Sequence, residues 1–222
     1  MDVYLQPTAV IESRHPAVVA FAHEVTGGAS DAVDRAVRLF YAVRDRIRYD
    51  PYTTAPVLEA FRASVTLVRQ AAFCIPKAIL LAAAARALGI PSRLGFADVR
   101  NHLTTKRLSA LMRTDLFVFH GYTELLLEGR WVKATPTFNI ELCERFKVKP
   151  LDFDGRHDSL LQAFDQEGRK HMEYIRDHGV FADLPFREMI EAWREHYPHL
   201  QGFEAPGGDF AREAEEAADG RD

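Results

Sequence analysis

Apolar residues recur at helical spacing along the first ninety positions, and the pattern changes to a two-residue alternation near Pro91. Residues 15–25 carry the first helical pattern, closed by Gly27-Gly28. The second is better marked. Val33, Val37, Phe40, Tyr41, Val43 and Ile47 form one stripe, Ser30 stands where an N-cap belongs, and Asp34 and Arg38 sit at i,i+4 on the wet face. Asp50-Pro51 stops it, and residues 51–63 read as loop with room for one helical turn before a short helix over 65–69. The third pattern covers 74–88, rich in alanine and leucine, the best helix formers. Pro76 is tolerated only in a first turn, so this helix begins close to Cys74, and Gly89 ends it.

Beyond Pro91, residues 92–99 read as a strand. Residues 115–127 are rich in β-branched and aromatic side chains, and Glu128-Gly129 turns them back into a strand over 130–137. This hairpin carries His120 on its first strand, just after an apolar run and near a strand end, and Trp131 on its second. Residues 159–164 and 169–175 read as a further hairpin, with a helix as the alternative. Pro185 opens a last amphipathic helix through Phe186, Met189, Ile190 and Trp193. Residues 204–222 combine Pro206-Gly207-Gly208 with acidic and alanine residues, the mark of a mobile acidic tail with at most a marginal helix over 210–218. No repeat or linker divides residues 1–203, which read as one domain. The change of period predicts an α+β fold, with the Cys74 helix packed on a mainly antiparallel sheet that holds His120 and Thr135.

Composition narrows the class. The chain has 222 residues, 47% hydrophobic and 27% charged, as an ordinary globular protein has. A net charge of −4 provides no basic field for nucleic acid or an anionic membrane, so neither is an expected partner. The most apolar stretch, 78–88, is interrupted by Arg86 and is far short of the ~20 residues a spanning helix needs. The N-terminal residues lack the basic start and apolar run of a secretory signal, and two cysteines imply no disulfide framework. The expected compartment is therefore the reducing cytoplasm, where a cysteine is chemical or packed, not cross-linked.

Cys74 stands at a predicted helix N-terminus. Unpaired N–H groups and the helix dipole there favour an anion, which lowers a thiol pKa and can receive an oxyanion when the thiolate attacks an acyl carbon. A free cysteine is otherwise a small buried apolar residue. His120 on the strand supplies the matching base, since nucleophile and base are brought together by the fold and not by adjacency. Cys143, beside Glu141, Glu144 and Arg145, reads as structural; His171 and His178 read as surface residues; and 98–102 read as a solvated loop over the cleft. His196 and His199 have no thiol or acid to complete a zinc set, and neither a phosphate-binding glycine loop nor a dinucleotide fingerprint occurs. No metal and no cofactor are expected.

Four blocks in order resemble the transglutaminase-like superfamily of papain-type cysteine enzymes: Phe73-Cys74-Ile75-Pro76-Lys77-Ala78, Leu88-Gly89-Ile90-Pro91-Ser92-Arg93, His120-Gly121-Tyr122-Thr123-Glu124, and residues 129–137 with Trp131 and Thr135-Pro136-Thr137. The resemblance covers about residues 30–140. It implies a papain-like core and a Cys-His-Asp triad in which the acid holds the histidine in its useful tautomer. Carried over, Cys74 is the nucleophile, His120 the base, and Thr135 occupies the position of the acid. A threonine hydroxyl can orient a ring but adds no negative charge. Asn139 is an alternative acceptor, and Gln70, just ahead of the cysteine, is a candidate oxyanion donor against the plainer reading of a polar helix-end residue.

The expectation is cysteine-dependent acyl transfer or amide hydrolysis (peptidase, amidase or transglutaminase-like) through a Cys74 thioester, on a peptide, protein or small amide substrate. The missing acid motivates the alternative of a non-catalytic peptide- or protein-binding module. With helix N-terminus and imidazole both beside it, the Cys74 thiol is expected below its free pKa of ~8.5.

Overall fold

In the computed structural model, which describes residues 2–53, 55–102, 104–200 and 208–218, a helix buried from its second residue to its penultimate one sits between a helical layer and a sheet. That helix is α4 (Cys74–Ala87), and α1 (Pro16–Thr26), α2 (Ala32–Arg46) and α3 (Ala63–Arg69) pack on it from one side. Its residues are apolar all round, which suits a helix with no wet face. The two cations it buries serve as ties. Lys77 Nζ donates to the carbonyls of Arg44, at 2.8 Å, and Ile47, closing the C-terminal end of α2. Burial lowers the Lys77 amine to about 7. Arg86 donates to the carbonyls of Ser92, at 2.8 Å, and Ala182, at 2.6 Å.

The cap of α2 is Asp31 and not Ser30. Asp31 Oδ1 accepts from the Asp34 N–H at 2.9 Å while Asp34 accepts from the Ser30 N–H at 3.2 Å, a reciprocal box built from two aspartates. Asp34 also pairs with Arg38 at 2.8 Å, as the spacing predicts. After α2, β1 (Arg48–Tyr49) runs parallel to β2 (Ala71–Ala72), and this two-residue ladder delivers the chain to the start of α4. The segment between holds two short 3-10 turns, Pro51–Thr53 and Leu58–Phe61.

The second half forms a four-stranded antiparallel sheet from β3 (Ser92–Asn101), β4 (Leu116–Leu127), β5 (Arg130–Ala134) and β6 (Met172–Phe181), in the order β5-β4-β3-β6. Glu128 (φ 48°) and Gly129 (φ 79°) turn β4 into β5 with the positive angles that a tight two-residue hairpin demands. Helices α5 (Lys106–Met112), α6 (Ile140–Arg145), α7 (Phe186–His196) and α8 (Phe210–Ala218) lie among and around the strands.

Three expectations are corrected. Residues 159–175 form the expected hairpin only around its turn, where Phe164 bridges Lys170 and the His171 N–H donates to the Ala163 carbonyl at 2.9 Å; beyond that Ser159 bridges Ala134, and the strand starting at Met172 pairs along its length with β3. The alternation was real, but its partner lies some eighty residues away. Residues 98–101 belong to β3 and are no loop, and Asp98 is buried. The helix over 210–218 is docked, with Phe210 and Ala214 buried and Glu213 accepting from Tyr52 Oη at 2.6 Å and Thr105 Oγ1 at 3.1 Å. Residues 204–207 and 219–222 of the expected tail lie outside the described residues. Among the described residues no helix is long and apolar enough to cross a membrane.

The interior divides into two apolar clusters. The larger joins α1–α4 to the sheet; the smaller gathers Tyr52, Val99, Leu108, Phe138, Met172 and Phe210. A cavity lies at the seam between them.

Candidate active site

The position of Cys74 follows from an open place in the sheet. β5 ends at Ala134, opposite Thr123, so the stretch of β4 through His120 and Gly121 has no β5 residue beside it. The first turn of α4 closes on Gly121 so tightly that a Cβ there would lie 3.1 Å from Ile75 Cγ1 and 3.2 Å from Ile75 Cα. Phe73, at the N-cap, offers no side-chain bond to the helix, and Pro76 has no N–H. The N–H groups of Cys74, Ile75 and Gly121 act on the Cys74 sulfur in the sense that favours its thiolate.

His120 is aimed by a bulge. It lies inside β4 and not at its end. Ala97 pairs with His120 and Val99 with Phe117, so Asp98 alone faces two residues, Val118 and Phe119. Phe119 sits at φ 59°, a conformation rare for a bulky side chain and of order 1–3 kcal/mol unfavourable. What holds it is specific. Asp98 Oδ1 accepts the Phe119 N–H at 3.0 Å and lies 2.7 Å from His178 Nε2, and the His178 ring stacks on Phe119 at 4.2 Å. The displaced backbone of Val118 is picked up by α7 and the residue after it: Trp193 Nε1 donates to its carbonyl at 3.3 Å, and Tyr197 Oη accepts its N–H at 2.8 Å. As a result Phe117, Val118, Phe119 and His120, four consecutive residues, all line the cavity. A regular strand would turn every second one away.

Cys74 and His120 thus share one wall, though no hydrogen bond joins them. Thr135 is buried, and its N–H donates to the Ser159 carbonyl at 3.0 Å, but it does not line the cavity; Thr137 does. His120 Nε2, Thr135 Oγ1, Thr137 Oγ1 and Ser159 Oγ are all buried without a hydrogen-bond partner. The alternatives do not come to the ring. Asn139 accepts from the Tyr49 N–H at 3.0 Å and donates to Glu141 at 2.6 Å, and Gln70 is an exposed helix-end residue in left-handed backbone.

The electrostatics overturn the expected thiol. Burial pushes Cys74 up to about 11, outweighing the three N–H groups that favour the thiolate. Burial alone lowers His120 to about 4. Burial thus favours the neutral form of both the Cys74 thiol and the His120 imidazole.

The cavity measures about 670 Å³ and is lined chiefly by apolar and aromatic side chains from α4, β3, β4, α5 and α7. Cys143 is fully buried and packs as a structural residue, with Phe138 O and Gln162 Nε2 each 3.8 Å from its sulfur. His171 and His178 are not surface decoration: His171 is buried and stacks on Phe138, and His178 clamps the bulge. Asp98, Phe119, Trp193 and Tyr197 escaped sequence reasoning as parts of the site. The one signal available was the polar density of 98–102, which came from a buried strand acid and not from a loop.

Residues 19–136 match the model of a family described as the transglutaminase-like superfamily. No curated protein matches the chain. Among solved structures, a candidate cysteine protease from Cytophaga hutchinsonii is similar at 18% identity and a TM-score of 0.48, over 80% of this chain and 53% of that one. A candidate protease from Parabacteroides distasonis is similar at 14% identity and a TM-score of 0.40, over 56% of this chain and 24% of that one. The chain spans about half the length of the first and a quarter of the second.

Proposed function

Because the chain belongs to the transglutaminase-like superfamily, we propose that it is a cysteine-dependent acyl-transfer enzyme, with Cys74 as nucleophile and His120 as base, acting on an amide or ester. The observation that carries this reading is the placement of Cys74, at an uncapped helix N-terminus, and His120 in the wall of one cavity.

With both groups neutral at rest, the proton moves as the bond forms. The Cys74 sulfur attacks the carbonyl carbon while the His120 ring takes the S–H proton. The carbonyl oxygen becomes an oxyanion, and the N–H groups at the start of α4 receive it. The imidazolium then gives its proton to the departing amine or alkoxide, the C–N or C–O bond breaks, and a thioester remains on Cys74. Water or an amine attacks that thioester, His120 takes the incoming proton, and the thiol is restored.

The test is intact-protein mass spectrometry after exposure to an activated ester, with the adduct mapped by peptide. One acyl group on Cys74, absent from Cys74→Ala and slowed in His120→Ala, is the expected result. An adduct that persists in Cys74→Ala would sink the assignment.

A second reading has its own support. Thr135 stands where the family carries an acid, and the unpartnered Nε2 of His120 leaves the imidazolium without a stabiliser. A non-catalytic module that binds a peptide or protein needs no such group. Alkylation of Cys74 by iodoacetamide no faster than a free cysteine, with no acyl adduct, would favour it.

A further inference from the structure

We infer that the acyl group taken by this site is apolar and extended, on the order of a medium-length hydrocarbon or aromatic acyl group, in contrast to a charged or amide-bearing side chain. This inference rests on the acyl-transfer reading and names its substrate class.

The walls away from Cys74 and His120 are Val99 on β3, Leu108, Leu111 and Met112 on α5, Phe117 on β4 and Met172 on β6. These six side chains carry no hydrogen-bonding group, and Asn101, at the end of β3, is the one amide side chain among the described lining residues. Of the aromatic lining residues with polar tips, Tyr52, Tyr197 and Trp193 turn them into the protein, while the Tyr49 hydroxyl belongs with the polar end near Cys74. Tyr52 Oη bonds Glu213 at 2.6 Å, Tyr197 Oη bonds the backbone of residues 116 and 118, and Trp193 Nε1 bonds the Val118 carbonyl. The cavity therefore meets their ring carbons. No carboxylate and no lysine stands among the described lining residues, and Arg194 is the one side chain there that is charged at neutral pH. An ammonium on the substrate body would lose its water with no carboxylate in the described lining to replace it, and a carboxylate would meet Arg194 alone.

Two polar groups that lack partners are carried by lining residues. These are the buried His120 Nε2 and Thr137 Oγ1, in addition to the N–H groups of α4 beside Cys74. A ligand that matches this division has one polar carbonyl head and an apolar body. Size agrees: at ~30 Å³ for each water-sized group, a cavity of about 670 Å³ holds on the order of twenty such groups.

The experiment compares p-nitrophenyl acetate, butyrate, hexanoate and octanoate, following the p-nitrophenolate burst and the thioester mass on Cys74. The second-order acylation rate should rise about fourfold per methylene, the effect of burying ~0.8 kcal/mol of hydrocarbon, until the cavity is full. Met112→Trp should cut the octanoate rate at least tenfold more than the acetate rate. In parallel, calorimetry on Cys74→Ala should show hexanamide and octanamide binding tighter with length, independent of any chemistry. If all four esters acylate Cys74 equally and the amides bind no tighter with length, the inference is overturned and the acyl-transfer reading stands. A glutamine-containing peptide that acylates Cys74 faster than octanoate overturns it as well. If no ester acylates Cys74 yet octanamide binds and Met112→Trp weakens it, the acyl-transfer reading fails while the apolar-ligand assignment holds.

Discussion

His120 and His178 lie on β4 and β6, with β3 between them, and their surroundings are opposite. His178 has a carboxylate, Asp98, at 2.7 Å and an aromatic ring stacked on its face. His120 has a buried, unpartnered Nε2 and no acid among the causes that set its pKa. Asp98, a buried carboxylate of this sheet, therefore serves the backbone that carries His120, and not the His120 ring itself. A desolvated carboxylate costs several kcal/mol unless bonded on several sides. Asp98 offsets that cost with the Phe119 N–H and His178 while pinning a strained residue next to His120. Direction and basicity are separable, and here the fold supplies the first without the second.

The largest effect tests that separation directly. His120→Ala removes the proposed base, and acylation of Cys74 at pH 7 should fall about 10²–10⁴-fold. His178→Phe keeps an aromatic ring on Phe119 but not the bond to Asp98, and its rate should fall no more than about tenfold. The burst rate of ester cleavage measures both. A larger loss in His178→Phe than in His120→Ala would reverse the assignment of base and clamp.

Acid should expose the difference as stability. Burial lowers both His120 and His171 to about 4. Between pH 6.5 and 4 the unfolded rings bind protons that the folded rings do not, so the unfolded state binds more protons and stability falls as pH drops through this window. The loss is complete below about 4 and absent above 6.5. Each ring accounts for about 3 kcal/mol by linkage. Urea midpoints at pH 7, 5.5 and 4.5 should decline, and His120→Gln should flatten part of the slope. An unchanged slope in that variant would mean that the His120 ring is not desolvated.

What the sequence makes legible here is local. The start of α4 follows from Pro76, its end from Gly89, and the β4–β5 turn from Glu128-Gly129, because each depends on the backbone preferences of one or two residues. The bulge was not legible: it is held by Asp98 and His178, eighty positions apart, and no local pattern marks Phe119 for a positive φ. The pairing of β6 with β3 is not legible for the same reason, since alternation names a strand but not its partner. The thiol was misjudged because the helix N-terminus that lowers its pKa is local, whereas the walls that raise it come from Tyr49 to Tyr197.

Smaller effects follow at the clamp. Asp98→Ala leaves the Phe119 N–H without its acceptor and His178 without its partner, a destabilisation of about 1–3 kcal/mol. Relaxation of φ at Phe119 should also turn His120 and slow acylation about tenfold. Asp98→Asn retains an oxygen for the N–H and should recover most of the rate. That recovery separates positioning from packing: equal loss of rate in both variants at equal stability would show that the charge, and not the backbone bond, matters.

The smallest expected effect gives His120 what His178 already has. In Thr135→Asp a carboxylate replaces a buried hydroxyl that, like His120 Nε2, lacks a hydrogen-bond partner. An adjacent negative charge favours the imidazolium, so the ring pKa should rise from about 4 and the proton transfer from Cys74 should become easier. Burial opposes the gain, because Thr135 is only 2% exposed and the new charge must be desolvated in turn. The net expectation is a few-fold faster alkylation of Cys74 near pH 6, with the pH profile displaced toward acid. The displacement is the decisive reading, since a merely repacked site would change the rate at all pH values alike. An unmoved profile would mean that the carboxylate does not reach the ring. The third position would then have no part in the site, and the binding-module reading would gain what the triad loses.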